Sequence, residues 1–406
     1  MNEPTKAKGL DRYLKPVDVF ALAIGVMVGW GAFVMPGTTF LPVAGPLGTL
    51  IALAIGAGVM LVISANFSYL MQHNPGTGGV YSYTKEAFGR DHAFLSSWFL
   101  CLSYLTIVFL NGTALFIVVR TMMNGHVGGF HYTIAGNEIY LTEVLLSALA
   151  FAGVGILFIK AKPFLQKLFA LLAFILLAGA AVTAVICIPH ALKGGLPASF
   201  GTAGVRPLFG ILSLVILAPW AFVGFDTASF DTAHFTFPVK KTGKILVVSI
   251  LTAGLIYAAM VIVAISFVPD GYASWGSYMA DLDRLSGIAS VPTFLAAQAW
   301  MGPAGLAVIA VTALAAIFTG IIGAYRAAMR ILSTMAEDYI LSVKFRETKY
   351  SIVFIMVISV LLSMLGRNTL NWFVDLTSFG AIVGFGYTSA AAYKIGRTEN
   401  NRRAAV

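Results

Sequence analysis

Residues 23–36 read Ala23-Ile-Gly25-Val-Met-Val28-Gly29-Trp30-Gly31-Ala-Phe33-Val-Met-Pro36, inside an apolar run that begins near Val17. Glycine and proline are weak helix formers, so Gly25, Gly29, Gly31, Pro36 and Gly37 predict an interruption that leaves backbone N–H and C=O groups unbonded partway along the run. In the hydrocarbon of a bilayer such groups are tolerated only where they line a wet or ligand-filled cavity. The interruption is therefore a candidate ion or substrate site. Glycines that simply let a neighbouring helix approach give the competing account. A second broken span would separate the two.

The rest of the chain has the composition of a bilayer protein. It is 406 residues long, 59% hydrophobic and 11% charged, against about half and about a quarter in soluble domains. Apolar runs of about 18 residues or more, the length a helix needs to cross hydrocarbon, recur from Val17 to Tyr393. A porin-like barrel would show short alternating strands instead. The first sixteen residues are polar and charged, with no short apolar core and small-residue cleavage site, so no cleaved signal peptide is expected. Cys101 and Cys187 both lie in apolar segments, which excludes a disulfide framework and a cysteine metal cluster. The net charge of +9 is explained by its distribution, and no nucleic acid partner is expected.

Hydropathy predicts about ten spans: 17–44, 47–72, 94–120, 140–159, 164–188, 208–235, 244–268, 296–324, 351–366 and 370–393. With the N-terminus inside, every one of the 26 Lys and Arg residues except Arg120, Lys193, Arg206, Arg284 and Arg367 falls on the same side. That bias places both termini in the cytoplasm of a plasma (inner) membrane protein. The loop Pro75-Gly-Thr-Gly78-Gly79-Val-Tyr81-Ser-Tyr83-Thr-Lys-Glu-Ala-Phe-Gly89 has the amphipathic, aromatic character of a short interfacial helix.

The second interruption lies in the sixth span, Leu217-Ala-Pro219-Trp220-Ala-Phe222-Val223-Gly224-Phe225-Asp226-Thr-Ala-Ser-Phe-Asp231. Pro219 removes a donor, Gly224 weakens the helix, and two carboxylates come next inside a hydrophobic stretch. Broken spans at matching places in two halves are the pattern of transporters built from inverted repeats, with binding at the midplane. The predicted organisation is an N-terminal segment 1–16, a first five-helix repeat 17–188 with an interfacial loop 73–93, a connection 189–207, a second repeat 208–393, and a basic tail 394–406.

Four stretches carry a resemblance: Gly29-Trp-Gly31-Ala-Phe33 with Pro36-Gly37, the loop at 75–89, Phe222-Val-Gly224-Phe225-Asp226, and Arg330-Ile-Leu-Ser-Thr-Met335-Ala336-Glu-Asp338. From Leu14 to Arg397 the chain resembles the amino acid, polyamine and organocation (APC) permease superfamily. The resemblance implies an all-α, LeuT-like fold of five plus five helices, broken in helices 1 and 6, and transport of amino acids or amines by alternating access. Half-helix N-termini attract anions, so N–H groups near Gly29 are expected to receive a substrate carboxylate and unwound carbonyls near Phe222 the ammonium. On the family's main-chain contacts, the substrate-binding residues are Val28, Gly29, Trp30, Gly31, Phe222, Val223 and Gly224.

Trp220 stands in the register of the aromatic that closes over substrate in arginine/agmatine antiporters, which makes it the gate candidate. Asp226 stands where those antiporters place an acid used in proton coupling; a helix cap or interhelical hydrogen bond is its other account. For Asp231 a capping or gate-pairing role is expected. Asn111 is a candidate contact for the substrate side chain or for another helix. Asp18 suits a helix N-terminus, Asp375 the outer interface, and Thr312 and Thr319 bonds back to their own helix.

The chain also departs from the family pattern. Trp30 replaces a serine or alanine and would shrink or block the cavity. Lys160, Lys162 and Lys167 lie at the entrance of the fifth helix with no lysine deeper in. Ala233-His234-Phe-Thr-Phe-Pro238 replaces a stretch that usually carries a glutamate, and about ten spans replace twelve. Neutral or apolar amino acids are favoured, because a cationic side chain would want a buried acid. A transporter-like sensor that binds ligand with little flux is the alternative. No enzyme and no cofactor are expected, the coupling ion being a proton or sodium. His73, His92, His126, His131, His190 and His234 fall at span ends or in loops, no H-E-x-x-H occurs, and only His126 and His131 suggest a metal pair.

Overall fold

A run of about 18 apolar residues in hydrocarbon can satisfy its backbone only by bonding along the chain, so the runs become helices. The computed structural model describes residues 12–123, 129–134, 137–193, 206–366 and 369–399. Lys6, Lys8, His126, Arg367, Arg402, Arg403 and most of the connection 189–207 lie outside them. In chain order the helices are α1 (Pro16–Met27), α2 (Gly31–Met35), α3 (Leu41–His73), α4 (Gly79–Phe88), α5 (Arg90–Met122), α6 (Leu141–Lys160), α7 (Lys162–Lys193), α8 (Pro207–Phe222), α9 (Thr242–Ile265), α10 (Trp275–Ala280), α11 (Pro292–Glu337), α12 (Thr348–Ser363) and α13 (Leu370–Thr398).

Seven helical stretches among the described residues are long and apolar enough to cross a membrane, from Leu141–Lys160 at 20 residues to Pro292–Glu337 at 46. One of them, Gly31–His73, joins the second half of the first span to the whole of the second. The join is a kink at Gly45–Pro46, where proline has no N–H to continue the ladder. A like kink at Gly302–Pro303 divides α11. The half-helix α1, the 16-residue α12 and α13 occupy the stretches of the remaining expected spans and fall outside those seven.

Helices α5 and α11 pack on each other at the centre, with α7 against α11 and α13 against α5. Leu149, Phe174, Val185 and Leu255 are among the large apolar side chains left on the outside, as expected of faces turned to lipid. One element was not expected. A hairpin of β1 (His131–Ile134) and β2 (Asn137–Tyr140), with His131 opposite Tyr140, precedes α6.

The loop 75–89 contains the helix α4, and its tyrosines turn to the protein. Tyr81 and Tyr83 are buried against the protein. Tyr81 donates to the carboxylate of Asp338 just past α11, Lys85 Nζ lies 2.7 Å from the same carboxylate, and Arg90 donates to the Asp338 carbonyl at 2.7 Å. The Lys85 and Tyr81 hydrogen bonds hold the Asp338 carboxyl below its ordinary value. Gly76 exchanges two 2.7 Å bonds with the Thr232 hydroxyl, so the same loop also braces the sixth span.

Candidate binding site at two helix breaks

The first span breaks at its glycines. The last closure of α1 is Val28 N–H to the Ile24 carbonyl at 2.8 Å, and bonding resumes with Ala32 N–H to Gly29 at 3.2 Å and Phe33 N–H to Trp30 at 3.0 Å. The N–H groups of Gly29, Trp30 and Gly31 fall between these two ladders, and no side chain caps the start of α2. Three donors at the positive end of a half-helix are a receptor for an anionic group.

At the second break, side chains bond the glycine of the unwound turn. Helix α8 ends at Val223, whose N–H bonds to Pro219 at 2.9 Å, and Gly224 comes next with φ 133°. That conformation has no room for a side chain in any case, since a Cβ would lie 2.9 Å from the Met27 nitrogen and 2.7 Å from Val26 Cβ. Asp226 Oδ1 accepts from Gly224 N–H at 3.0 Å and Oδ2 from Tyr104 Oη of α5 at 2.6 Å. The Gly224 carbonyl accepts from Thr227 N–H and its hydroxyl. Asp226 thus fastens the unwound turn to the third span.

Between the breaks lies a cavity of about 20 Å³, lined by residues that include Gly29, Trp30, Asn111, Trp220, Val223 and Tyr257. The Trp30 and Trp220 rings meet edge to face with centroids 6.2 Å apart, a favourable arrangement of their quadrupoles. The Trp220 indole rests on Gly31, where any Cβ would run into it. Asn111 Nδ2 donates to the Ile107 carbonyl at 2.8 Å. Its Oδ1 is buried with no partner, and a Cβ on Gly29 would lie 3.5 Å from it.

Of the expected contacts, Gly29, Trp30, Val223, Asn111 and the gate candidate Trp220 line this cavity; Val28, Gly31, Phe222 and Gly224 are not among its lining residues. Phe222 turns toward Tyr257, ring centroids 6.3 Å apart. Tyr257, Ile107 and Leu110 are lining residues that sequence reasoning misses. The Tyr257 hydroxyl donates to the Met27 carbonyl at 3.2 Å, at the frayed end of α1. An isolated tyrosine in an apolar run is the only signal it gives.

A larger cavity of about 580 Å³ lies beside the N-terminal end of α1, lined by residues that include Tyr13, Asp18, Lys162, Phe169, Arg326 and Arg330. Phe169 packs on Gly25, next to Val26 of the small cavity. Asp231, 1% exposed, is the pairing acid: Arg326 Nη2 stands 2.8 Å from Oδ2 and Arg330 Nη2 2.9 Å from Oδ1. Arg326 also reaches the Tyr13 hydroxyl at 3.4 Å. The backbone beside this cluster is tied in parallel: Tyr13 and Leu14 N–H both donate to the His234 carbonyl at 3.0 Å, and Thr236 N–H donates to Leu14 at 2.9 Å.

The remaining candidates have local roles. Asp18 accepts from Lys15 N–H at 2.8 Å and caps α1. Thr312 and Thr319 bond back to Val308 and Ala315 at 2.6 and 2.9 Å. Asp375 is exposed on α13, and Lys160, Lys162 and Lys167 lie at the corner between α6 and α7. No cluster of potential metal ligands occurs among the described residues; His131 lies 4.0 Å from Glu138.

Comparison with known proteins gives the arrangement its context. The pattern of a family described as amino acid permease matches residues 14–405. The branched-chain amino acid permease BcaP of Bacillus subtilis (strain 168) is 26% identical over 276 residues, covering 64% of this chain and 56% of that protein. Cationic amino acid transporter 4 of Mus musculus is 24% identical over 414 residues, 96% of this chain and 61% of that protein. The chain therefore spans less than two thirds of the length of either relative. Among solved structures, the nucleobase-cation-symport-1 family transporter Mhp1, closed with bromovinylhydantoin bound, superposes with a TM-score of 0.61 at 14% identity over 99% of this chain and 82% of its own. A Na+-coupled sialic acid symporter in a substrate-bound outward-open state gives 0.58 at 15%, over 94% and 79%. These likenesses show the fold: a LeuT-like, all-α, multi-pass membrane architecture.

Proposed function

The chain belongs to the amino acid permease family, and on that premise we propose that it is a secondary active transporter of amino acids or related amines. Neutral or apolar substrates are preferred, and movement is by alternating access across the plasma membrane with both termini cytoplasmic. The observation that carries this reading is the bare first break: three N–H groups without a backbone bond stand beside a small cavity that Gly29, Trp30 and Asn111, whose side-chain oxygen has no partner, line together with Trp220. An amino acid offers a carboxylate for the N–H groups and an ammonium for the oxygen. Trp220 is the gate that closes over the substrate, and the Asp231–Arg326–Arg330 cluster borders the way out.

Asp226 is the coupling acid in this reading, since its carboxylate joins the unwound turn to the third span and a change in its protonation alters both bonds. Uptake of labelled amino acids into proteoliposomes, with imposed proton or sodium gradients, tests the transport reading. Asp226→Asn is expected to flatten the pH dependence of uptake; an unchanged pH profile would assign coupling to another group. The small cavity favours a second reading, a sensor that binds its ligand with little flux. Ligand-induced thermal stabilisation without accumulation in vesicles would select it.

A further inference from the structure

We propose that the site accepts only amino acids with the smallest side chains, glycine and alanine, that Trp30 sets this limit, and that Asn111 Oδ1 receives the substrate ammonium. The inference rests on the transport reading and names its substrate class. A cavity of about 20 Å³ has room for about one water molecule. The two indoles that fill the rest of the space stand on different parts of the chain. Trp220 belongs to the intact last turn of α8 and lies over Gly31, so it can swing away without disturbing the unbonded donors. Trp30 lies within the break, between two of those donors, and is 5% exposed with its ring packed edge to face on Trp220. Space freed by Trp220 accommodates the main-chain part of a substrate; the place of a side chain stays occupied.

The chemistry of the walls excludes charged side chains. No Asp, Glu, Lys, Arg or His lines the small cavity. Asp226, the acid of the adjoining turn, spends its two oxygens on Gly224 and Tyr104. A cationic or anionic side chain would be desolvated there without a counter-charge. The orientation of Asn111 is set by its neighbour: the amide nitrogen must face the Ile107 carbonyl, because the oxygen would be repelled by it, and Oδ1 is left toward Gly29 and Gly320. Gly320 makes the room, since a Cβ there would lie 2.7 Å from the amide.

The test is binding and uptake of glycine, alanine, leucine, phenylalanine and arginine by the purified full chain and by Trp30→Ser, Trp30→Phe, Asn111→Leu and Asn111→Asp. Wild type is expected to prefer glycine and alanine over leucine by about tenfold or more, the discrimination that side-chain volume gives in an apolar pocket. Trp30→Ser should remove that preference by bringing leucine up to the level of glycine, and Trp30→Phe should keep most of it. Asn111→Leu should weaken every amino acid by about tenfold or more and Asn111→Asp should restore binding, because an acceptor is back in place. Equal binding of leucine and glycine by wild type, or an unaltered rank order in Trp30→Ser, overturns the proposal while the transport reading stands. Binding of none of the five by wild type or Trp30→Ser overturns both.

Discussion

At the first break three N–H groups are left with no bond between Val28 and Ala32, whereas at the second an aspartate and a threonine bond the N–H and carbonyl of Gly224, and a tyrosine from another helix holds that aspartate. Both segments begin from glycine within an apolar run. The difference lies in the residues just beyond that glycine: Trp30, Gly31 and Ala32 carry no group able to reach a main-chain donor, while Asp226 and Thr227 carry little else. A membrane helix interrupted without internal compensation is held open for something that arrives from outside. One interrupted with compensation is more nearly a fixed joint.

Gly224→Ala should have the largest effect, because it forces a side chain into a φ of 133° and against the Met27 nitrogen; a loss of more than about 3 kcal/mol is expected from strain and overlap together. Thermal unfolding in detergent reads it, and an unchanged melting temperature would break the contrast. Asp231→Asn comes next. It leaves two guanidinium groups beside a neutral amide, but the arginines keep partial contact with water, so about 2 kcal/mol is expected against the larger figure for a fully buried pair. Tyr104→Phe removes one charge-assisted bond to Asp226 and should lower stability by about 1.5 kcal/mol. Gly29→Ala sharpens the contrast from the other side. Its Cβ finds ordinary contact, 3.5 Å from Asn111 Oδ1, so stability should move by less than about 0.5 kcal/mol while ligand affinity falls. Equal losses of stability in Gly29→Ala and Gly224→Ala would mean that both breaks are fixed joints.

The smallest effect concerns the tie between α4 and the end of α11. Asp338 has a lowered pKa in the folded protein, so its pairing with Lys85 and Tyr81 contributes stability above the ordinary carboxyl range and loses it as pH falls through the lowered value. Hydrogen exchange along α4 should accelerate below about pH 4 and do so less in Asp338→Asn, where the bond to a charged partner is already gone.

The architecture was legible because its signals are local. Apolar length marks the spans, and Gly29, Gly31, Pro219 and Gly224 mark the two breaks, which the structure places within a residue or two of their glycines. The site was legible only where it coincides with the breaks. Helix α5 is apolar around most of its circumference, so nothing in its pattern tells which face carries Ile107, Leu110 and Asn111 to the cavity. The partners of Asp231 lie 95 and 99 positions away, a distance no periodicity bridges. The tyrosines of α4 were not placed by pattern either: amphipathicity does not tell which side chains meet protein, and Tyr81 meets Asp338, 257 positions away.

The parallel tie between residues 13–14 and 234–236 has a mechanical consequence. It fastens the start of the first helix to residues 234–236 beyond the second break, so a displacement of one end is carried to the other through main-chain hydrogen bonds. Any weight hung on the chain just ahead of Arg12, such as a fused tag or a bound partner, would be felt at both ends at once.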